Sequence, residues 1–180
     1  MADGEFWRLI EEASSARTHF ERTRDAEALE RALKFGRKAV SLKGLPLDDR
    51  LQALRQLAVT LASLFAATRS VAALDEARAL LGEAESLLSA GNADPATHPQ
   101  LPKLLTNICA VHAQRYQQLG ELDDLEAAIA AGRRGLQLSQ MGSESQAFQL
   151  SNLGGLLRSW WQATGERSAL EDIVTARKPR

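Results

Sequence analysis

An aromatic residue followed nine positions later by leucine occurs four times in this chain: Phe20 and Leu29, Phe65 and Leu74, Tyr116 and Leu125, Trp161 and Leu170. The first two aromatics are 45 residues apart, and so are the last two. The middle interval is 51, one period plus six residues. A fixed period between about 20 and 50 residues marks a repeat architecture, in which each unit buries its apolar face against the next. Between aromatic and leucine lies a turn: Thr23-Arg24-Asp25, then Gly120, then Thr164-Gly165-Glu166. The unit is predicted to be a helix, a tight turn and a second helix.

The flanking pattern agrees. Pro46, Pro95, Pro99, Pro102 and Pro179 all fall between the long periodic segments or at their ends. Proline inside a helix costs about 3 kcal/mol, so this placement leaves clean helical windows. β-branched residues are sparse, and few segments alternate with period two. The chain reads as all-α. Phe6, Leu9, Ile10, Ala13, Ala16 and Phe20 recur at three- and four-residue steps and define the inner face of a first helix from about Glu5 to Arg22. Leu51 to Phe65, Leu101 to Tyr116 and Phe148 to Trp161 repeat that stripe. Asp25 and Ser70 stand at predicted N-caps, and Ser143 with Gln146 forms a capping-box pattern.

These signals divide residues 1–180, read as one helical-repeat domain, into repeats at 5–44, 47–91, 99–142 and 143–180. The six extra residues fall in the Pro-, Asp- and Asn-rich connection 92–100. Closing glycines recur at Gly44, Gly91 and Gly142. The same offset from Trp161 lies past Arg180, so the fourth repeat is expected to be cut short. Small residues share positions, with Ala32, Ala77 and Ala128 at one and Ala39, Ala84 and Gly135 at another. Such positions permit close helix approach. The repeated leucine is expected to anchor the core. Trp161 is expected at the repeated core position, and Trp160, which aligns with His19, Leu64 and Arg115, is expected to be partly exposed.

Composition narrows the function classes. With 44% apolar and 25% charged residues the chain is not a disordered one. A net charge of −1 gives no general attraction to nucleic acid. No apolar run is long enough for a membrane span. Cys109 is the sole cysteine, so no intrachain disulfide can form. The first residues carry acids early and lack the pattern of a secretory signal. The expectation is a soluble, cytoplasmic protein.

The later repeats carry a family resemblance. Asn152-Leu153-Gly154 precedes Trp161-Gln162-Ala163-Thr164-Gly165-Glu166 and Leu170-Glu171-Asp172-Ile173. This resembles the tetratricopeptide repeat, in a long variant of roughly 42–45 residues found in kinesin light chain and in arrays preceding CHAT, caspase-like protease domains. Leu150, Leu153, Gly154 and Leu157 fall at the family's first-helix positions. Repeats one and two lack the Asn-Leu-Gly run, and Glu11-Glu12-Ala13 stands there in repeat one. The resemblance implies an α-solenoid of about four antiparallel helix pairs whose first helices line a concave, peptide-binding groove. By position, Asn107 and Asn152 are the amides that would hold a peptide backbone, with Gln56 and Glu11 in the same place earlier. Arg55, Lys103, Gln114 and Arg158 neighbour them, with Arg17 and Trp7 near one end. The cations imply a mildly basic groove suited to an acidic peptide or a carboxylate.

Catalytic alternatives are weaker. Cys109 and His112 share a helical face, as a nucleophile and base would. Yet His112 replaces Leu61 and Leu157 of other repeats, and Cys109 reads as a small core residue. His19 and His98 have no metal-ligand spacing. Gly154-Gly155 lies inside a helix rather than in a phosphate loop. Asp123, Asp124 and Glu126 open a helix, where negative charge complements the dipole. The reading is a non-catalytic scaffold that binds a protein or peptide and uses no cofactor, metal, nucleic acid or membrane. The rival readings are a repeat-array piece of a larger CHAT-type protease without independent activity, and a module that self-associates end to end through its last repeat.

Overall fold

The computed structural model describes residues 2–90, 95–139 and 143–166. Among them are seven α-helices, one 3-10 turn and no strand. The helices are α1 (Ala2–Thr23), α2 (Ala26–Ser41), α3 (Leu47–Thr68), α4 (Val71–Ala90), α5 (Leu101–Leu119), α6 (Leu122–Gln137) and α7 (Glu144–Thr164). They occur as the predicted pairs α1/α2, α3/α4 and α5/α6, followed by the first helix of a fourth. The expected helix from Leu170 and the closing residues Gly91 and Gln140-Met141-Gly142 lie outside the described residues.

The periodicity is written into the backbone at the hinges. The carbonyl of each repeated aromatic accepts a hydrogen bond from the amide four residues on. Arg24 donates to Phe20 and Arg69 to Phe65 at 2.7 Å, Gly120 to Tyr116 at 2.7 Å, and Gly165 to Trp161 at 2.8 Å. All four donors are left-handed, with φ of 60°, 58°, 75° and 76°. Glycine takes that conformation freely, whereas a side chain is strained there. Where arginine replaces glycine, its guanidinium lies over the repeat's own aromatic, 5.5 Å from the Phe20 ring centre and 5.6 Å from that of Phe65. Cation–π attraction offsets part of the strain.

Three hinges add a threonine one residue before the donor. The hydroxyls of Thr23, Thr68 and Thr164 donate to the carbonyls of His19, Leu64 and Trp160. They accept from the amides of Asp25, Ser70 and Glu166. Two of the predicted caps also form: the Glu27 amide donates to Asp25, and the Gln146 amide to Ser143.

The chain divides into two compact units, Met1–Asn107 and Ile108–Arg180, with the boundary inside α5. In the first, Phe6, Leu9, Ile10, Ala39 and Ala53 form a buried cluster capped by Phe35, Val40, Leu42 and Leu45. The α2 and α3 backbones close in at Gly36, where an added methyl would meet a Leu57 methyl at 3.1 Å. In the second, Leu125, Ile129, Leu153 and Leu157 form the core, with Tyr116, Leu136, Leu156 and Trp160 packed on it. Gly135 lies against the Gln149 side chain. The shared small positions are as read from the sequence: Ala32, Ala77, Ala128, Ala39 and Ala84 are buried, and so is Gly135.

Two aromatic assignments need correction. Trp161 is 38% exposed, and Trp160 takes the place against the core. Adjacent residues on a helix point about 100° apart, so only one indole can face α6. Trp160 is the one whose indole N–H reaches an acceptor, the Glu166 carboxylate at 3.3 Å. Phe148, placed at the start of the inner stripe, is 58% exposed.

Candidate functional site

The first unit sets two first helices, α1 and α3, side by side. Ser63 on α3 donates to the Glu21 carboxylate on α1 at 3.4 Å. An open cleft of about 760 Å³ lies along them. Its α1 wall carries Trp7, Glu11, Ser14, Ser15 and Thr18, closing with His19 and Arg22. Its α3 wall carries Gln52 and Gln56. Trp7 is half exposed and meets Phe6 edge-on, with ring centres 5.2 Å apart. The sequence placed Glu11, Gln56 and Trp7 on this face. It missed the hydroxyl row Ser14, Ser15 and Thr18 and the partner amide Gln52. The spacing of Ser14 to Thr18, and of Gln52 to Gln56, is four residues and was the available signal.

The remaining predicted groove residues fall into two groups. Lys103, Asn152 and Arg158 are exposed. Asn152 and Arg158 are six residues apart on α7, which turns them about 120° from one another. Arg55, Asn107 and Gln114 are half-buried, and so is Arg17. In each of these four a buried side-chain atom has no hydrogen-bond partner: Nε of Arg17 and Arg55, Nδ2 of Asn107 and Oε1 of Gln114. The only other such atom among the described residues is Oε1 of Gln100, whose amide nitrogen already donates to Asp48. An unmade hydrogen bond on a buried polar atom costs about 1–3 kcal/mol. These costs are concentrated on the first helices, at positions assigned to the groove. Arg55 is also pushed below the usual arginine pKa, first by burial and then by the neighbouring charge of Arg17.

The second unit holds a polar cluster that the sequence reading did not find. Asp124, in the first turn of α6, is buried. Arg115 on α5 donates through Nε to both of its oxygens, at 3.1 and 3.0 Å. His112 Nδ1 lies 2.7 Å from Oδ1. Asp124 therefore ties α5 to α6 instead of serving chiefly as a dipole complement. His112 is hydrogen-bonded and half-buried, not a leucine substitute. Arg115 is 5% exposed, although the repeat register placed it at a partly exposed position.

Cys109 is buried, and burial pushes its thiol pKa up. Less of it is thiolate at any given pH than in a free cysteine, and the thiolate is the reactive form. Native protein at pH 8 is expected to react with a thiol-specific disulfide reagent far more slowly than protein unfolded in urea. Equal rates would show that Cys109 is accessible and activated.

No family model and no curated protein matches the chain. Solved structures do. The chain is similar to a protein described as the DHF58 filament, with a TM-score of 0.54, 19% identity and coverage of 97% of this chain and 92% of that one. It is similar to the de novo designed helical repeat protein DHR64, with a TM-score of 0.52, 18% identity and coverage of 98% and 93%. The DHF79 filament gives a TM-score of 0.53, 18% identity and 97% coverage of both chains. At this identity the likeness concerns fold. The protein is an all-α helical repeat of the α-solenoid class. No helix among the described residues is long and apolar enough to cross a membrane.

Proposed function

We propose that the protein is a non-catalytic scaffold of the tetratricopeptide type that binds an extended polypeptide along its first helices. One observation carries this reading. Four of the five buried side-chain atoms without a partner, among the described residues, belong to residues that the tetratricopeptide resemblance sets in or near the groove. Orphan donors and acceptors on one helix set match what a peptide backbone offers, since each residue brings one N–H and one C=O. The cleft along α1 and α3 adds an exposed indole and a row of hydroxyls and amides. That mixture suits a chain recognised by its backbone more than by one side chain.

The test is affinity capture with the wild type as bait, then measured affinity for the captured partner. Gln56→Ala/Asn107→Ala should bind it about tenfold or more weakly, with an unshifted melting temperature. Arg78→Ala, exposed on α4, should bind as the wild type does. Equal affinity for the double variant and the wild type would refute the groove assignment.

A further inference from the structure

The start of α1 sets an exposed indole beside a carboxylate that has nothing to pair with. Trp7 and Glu11 are four residues apart, so both side chains leave the same face, about 6 Å from one another along the helix axis. Both line the open cleft along α1 and α3. Trp7 is 51% exposed, and the buried Phe6 ring meets it edge-on and holds its plane. The Trp7 indole N–H makes no hydrogen bond among the described residues, and Glu11 makes neither a hydrogen bond nor an ion pair there. Arg8, three residues before Glu11, does not pair with it. Repeat register sets these two residues apart. Trp7 aligns with Gln52, Lys103 and Phe148, and Glu11 with Gln56, Asn107 and Asn152. Three repeats carry a neutral amide where the first carries an acid. Phe148 and Asn152 repeat the arrangement of aromatic and polar group without the charge.

We propose that Trp7 and Glu11 together hold the guanidinium of an arginine in the polypeptide bound along this cleft, an inference that rests on the function proposed above. An aromatic face attracts a cation through its quadrupole, and arginine stacks there more often than lysine. The guanidinium is planar and weakly hydrated, and its fork offers parallel N–H donors to a carboxylate. Side chains four apart on a helix have Cβ atoms about 5–6 Å from one another, so one guanidinium can lie against the indole and reach the Glu11 oxygens. A lysine ammonium supplies the charge but neither the planar stacking nor the fork. The charges of the cleft fix where the arginine goes. Glu11 is the only acid among the described lining residues, whereas His19 and Arg22 close the far end of the α1 wall. A cationic side chain is drawn to the Trp7 end and repelled from the other. The indole N–H is left to donate to a carbonyl of the same bound chain.

The experiment follows indole N–H signals of the full chain by NMR at fixed ionic strength. The chain has three tryptophans, and the spectrum of Trp7→Leu assigns the signal of Trp7. The probes are the end-blocked peptide Gly-Ser-Arg-Ser-Gly and its versions with citrulline or lysine in place of arginine. The Trp7 signal should move saturably with the arginine peptide, while those of Trp160 and Trp161 stay in place. Citrulline keeps the shape of arginine without the charge and should leave Trp7 unmoved, and lysine should bind more weakly than arginine. Glu11→Gln should weaken binding of the arginine peptide by about tenfold, with an unchanged melting temperature. Glu12→Gln, exposed on α1 and outside the cleft lining, should bind as the wild type does. Four results would overturn the assignment: a Trp7 signal that does not move, equal binding of the citrulline and arginine peptides, tighter binding of the lysine peptide, or wild-type affinity in Glu11→Gln. If any of these occurs while Gln56→Ala/Asn107→Ala still loses its partner, the arginine site falls and the polypeptide groove stands. If the double variant keeps its partner while Trp7 and Glu11 bind the arginine peptide, the groove reading falls and the guanidinium site stands alone.

Discussion

Asp124→Ala is expected to destabilise the protein by about 3–5 kcal/mol, because it strips the carboxylate from a buried cation instead of removing an ion pair whole. Arg115 is 5% exposed and directs Nε at both Asp124 oxygens. Its other acidic neighbour, Glu121, is exposed and 3.8 Å from a terminal nitrogen. His112 would lose its 2.7 Å contact in the same step. Urea unfolding monitored by circular dichroism gives the measurement. The neighbouring Asp123 is exposed in the same helical turn, and Asp123→Ala should change stability by no more than about 0.5 kcal/mol. The double variant Asp124→Leu/Arg115→Met removes both charges and should recover most of the loss, since apolar replacement of a buried pair is often neutral or better. Equal stability of Asp124→Ala and Asp123→Ala would show that the cluster does not bear on the fold.

Asp123 and Asp124 also show where sequence reading stops. Both are acids in the first turn of a helix, and periodicity treats them alike. Only the rotation of α6 against α5 buries one and exposes the other. Arg115 and Asp124 lie on opposite arms of a hairpin, nine residues apart, where no single-helix spacing rule connects them. The hinges were legible for the opposite reason. An aromatic, a left-handed residue and a leucine at fixed offsets act within about ten residues, and repetition separates their signal from chance. Even there glycine was the readable form. Arg24 and Arg69 take the same conformation, and only the ring beneath each guanidinium explains how.

The proposed groove was legible in part. Register put Gln56, Arg55, Asn107 and Gln114 on first helices, and all four are half-buried there. That three of them leave a buried atom unpaired depends on the side chains around them, which register does not specify. Trp160 and Trp161 show how finely a helical face is divided. A shift of one residue turns a helical side chain by about 100°, and of the two indoles Trp160 packs on the core while Trp161 is exposed.

The repeated leucine supports the second large expectation. Leu125→Ala should cost about 2–5 kcal/mol, the range for emptying a large aliphatic side chain from a core that relaxes only in part. Leu125 has no exposed surface and sits among Ile129, Leu153 and Leu157, so α6 and α7 both lose contacts. For a chain of this length the melting temperature should fall by roughly 4–20 °C. Leu74, its equivalent in the first unit, is also fully buried, and Leu74→Ala should fall in the same range. Leu122 lies one helical turn before Leu125 but is 41% exposed, so Leu122→Ala should leave the melting temperature nearly unchanged. The contrast tests the register itself, because a slip of α6 by one residue would exchange buried for exposed positions along the helix. Hydrogen exchange adds a spatial reading: Leu125→Ala should accelerate exchange of α6 and α7 amides, and Leu74→Ala that of α3 and α4. A Leu125→Ala melting curve that overlays that of Leu122→Ala would mean that the nine-residue interval from aromatic to leucine does not mark the core.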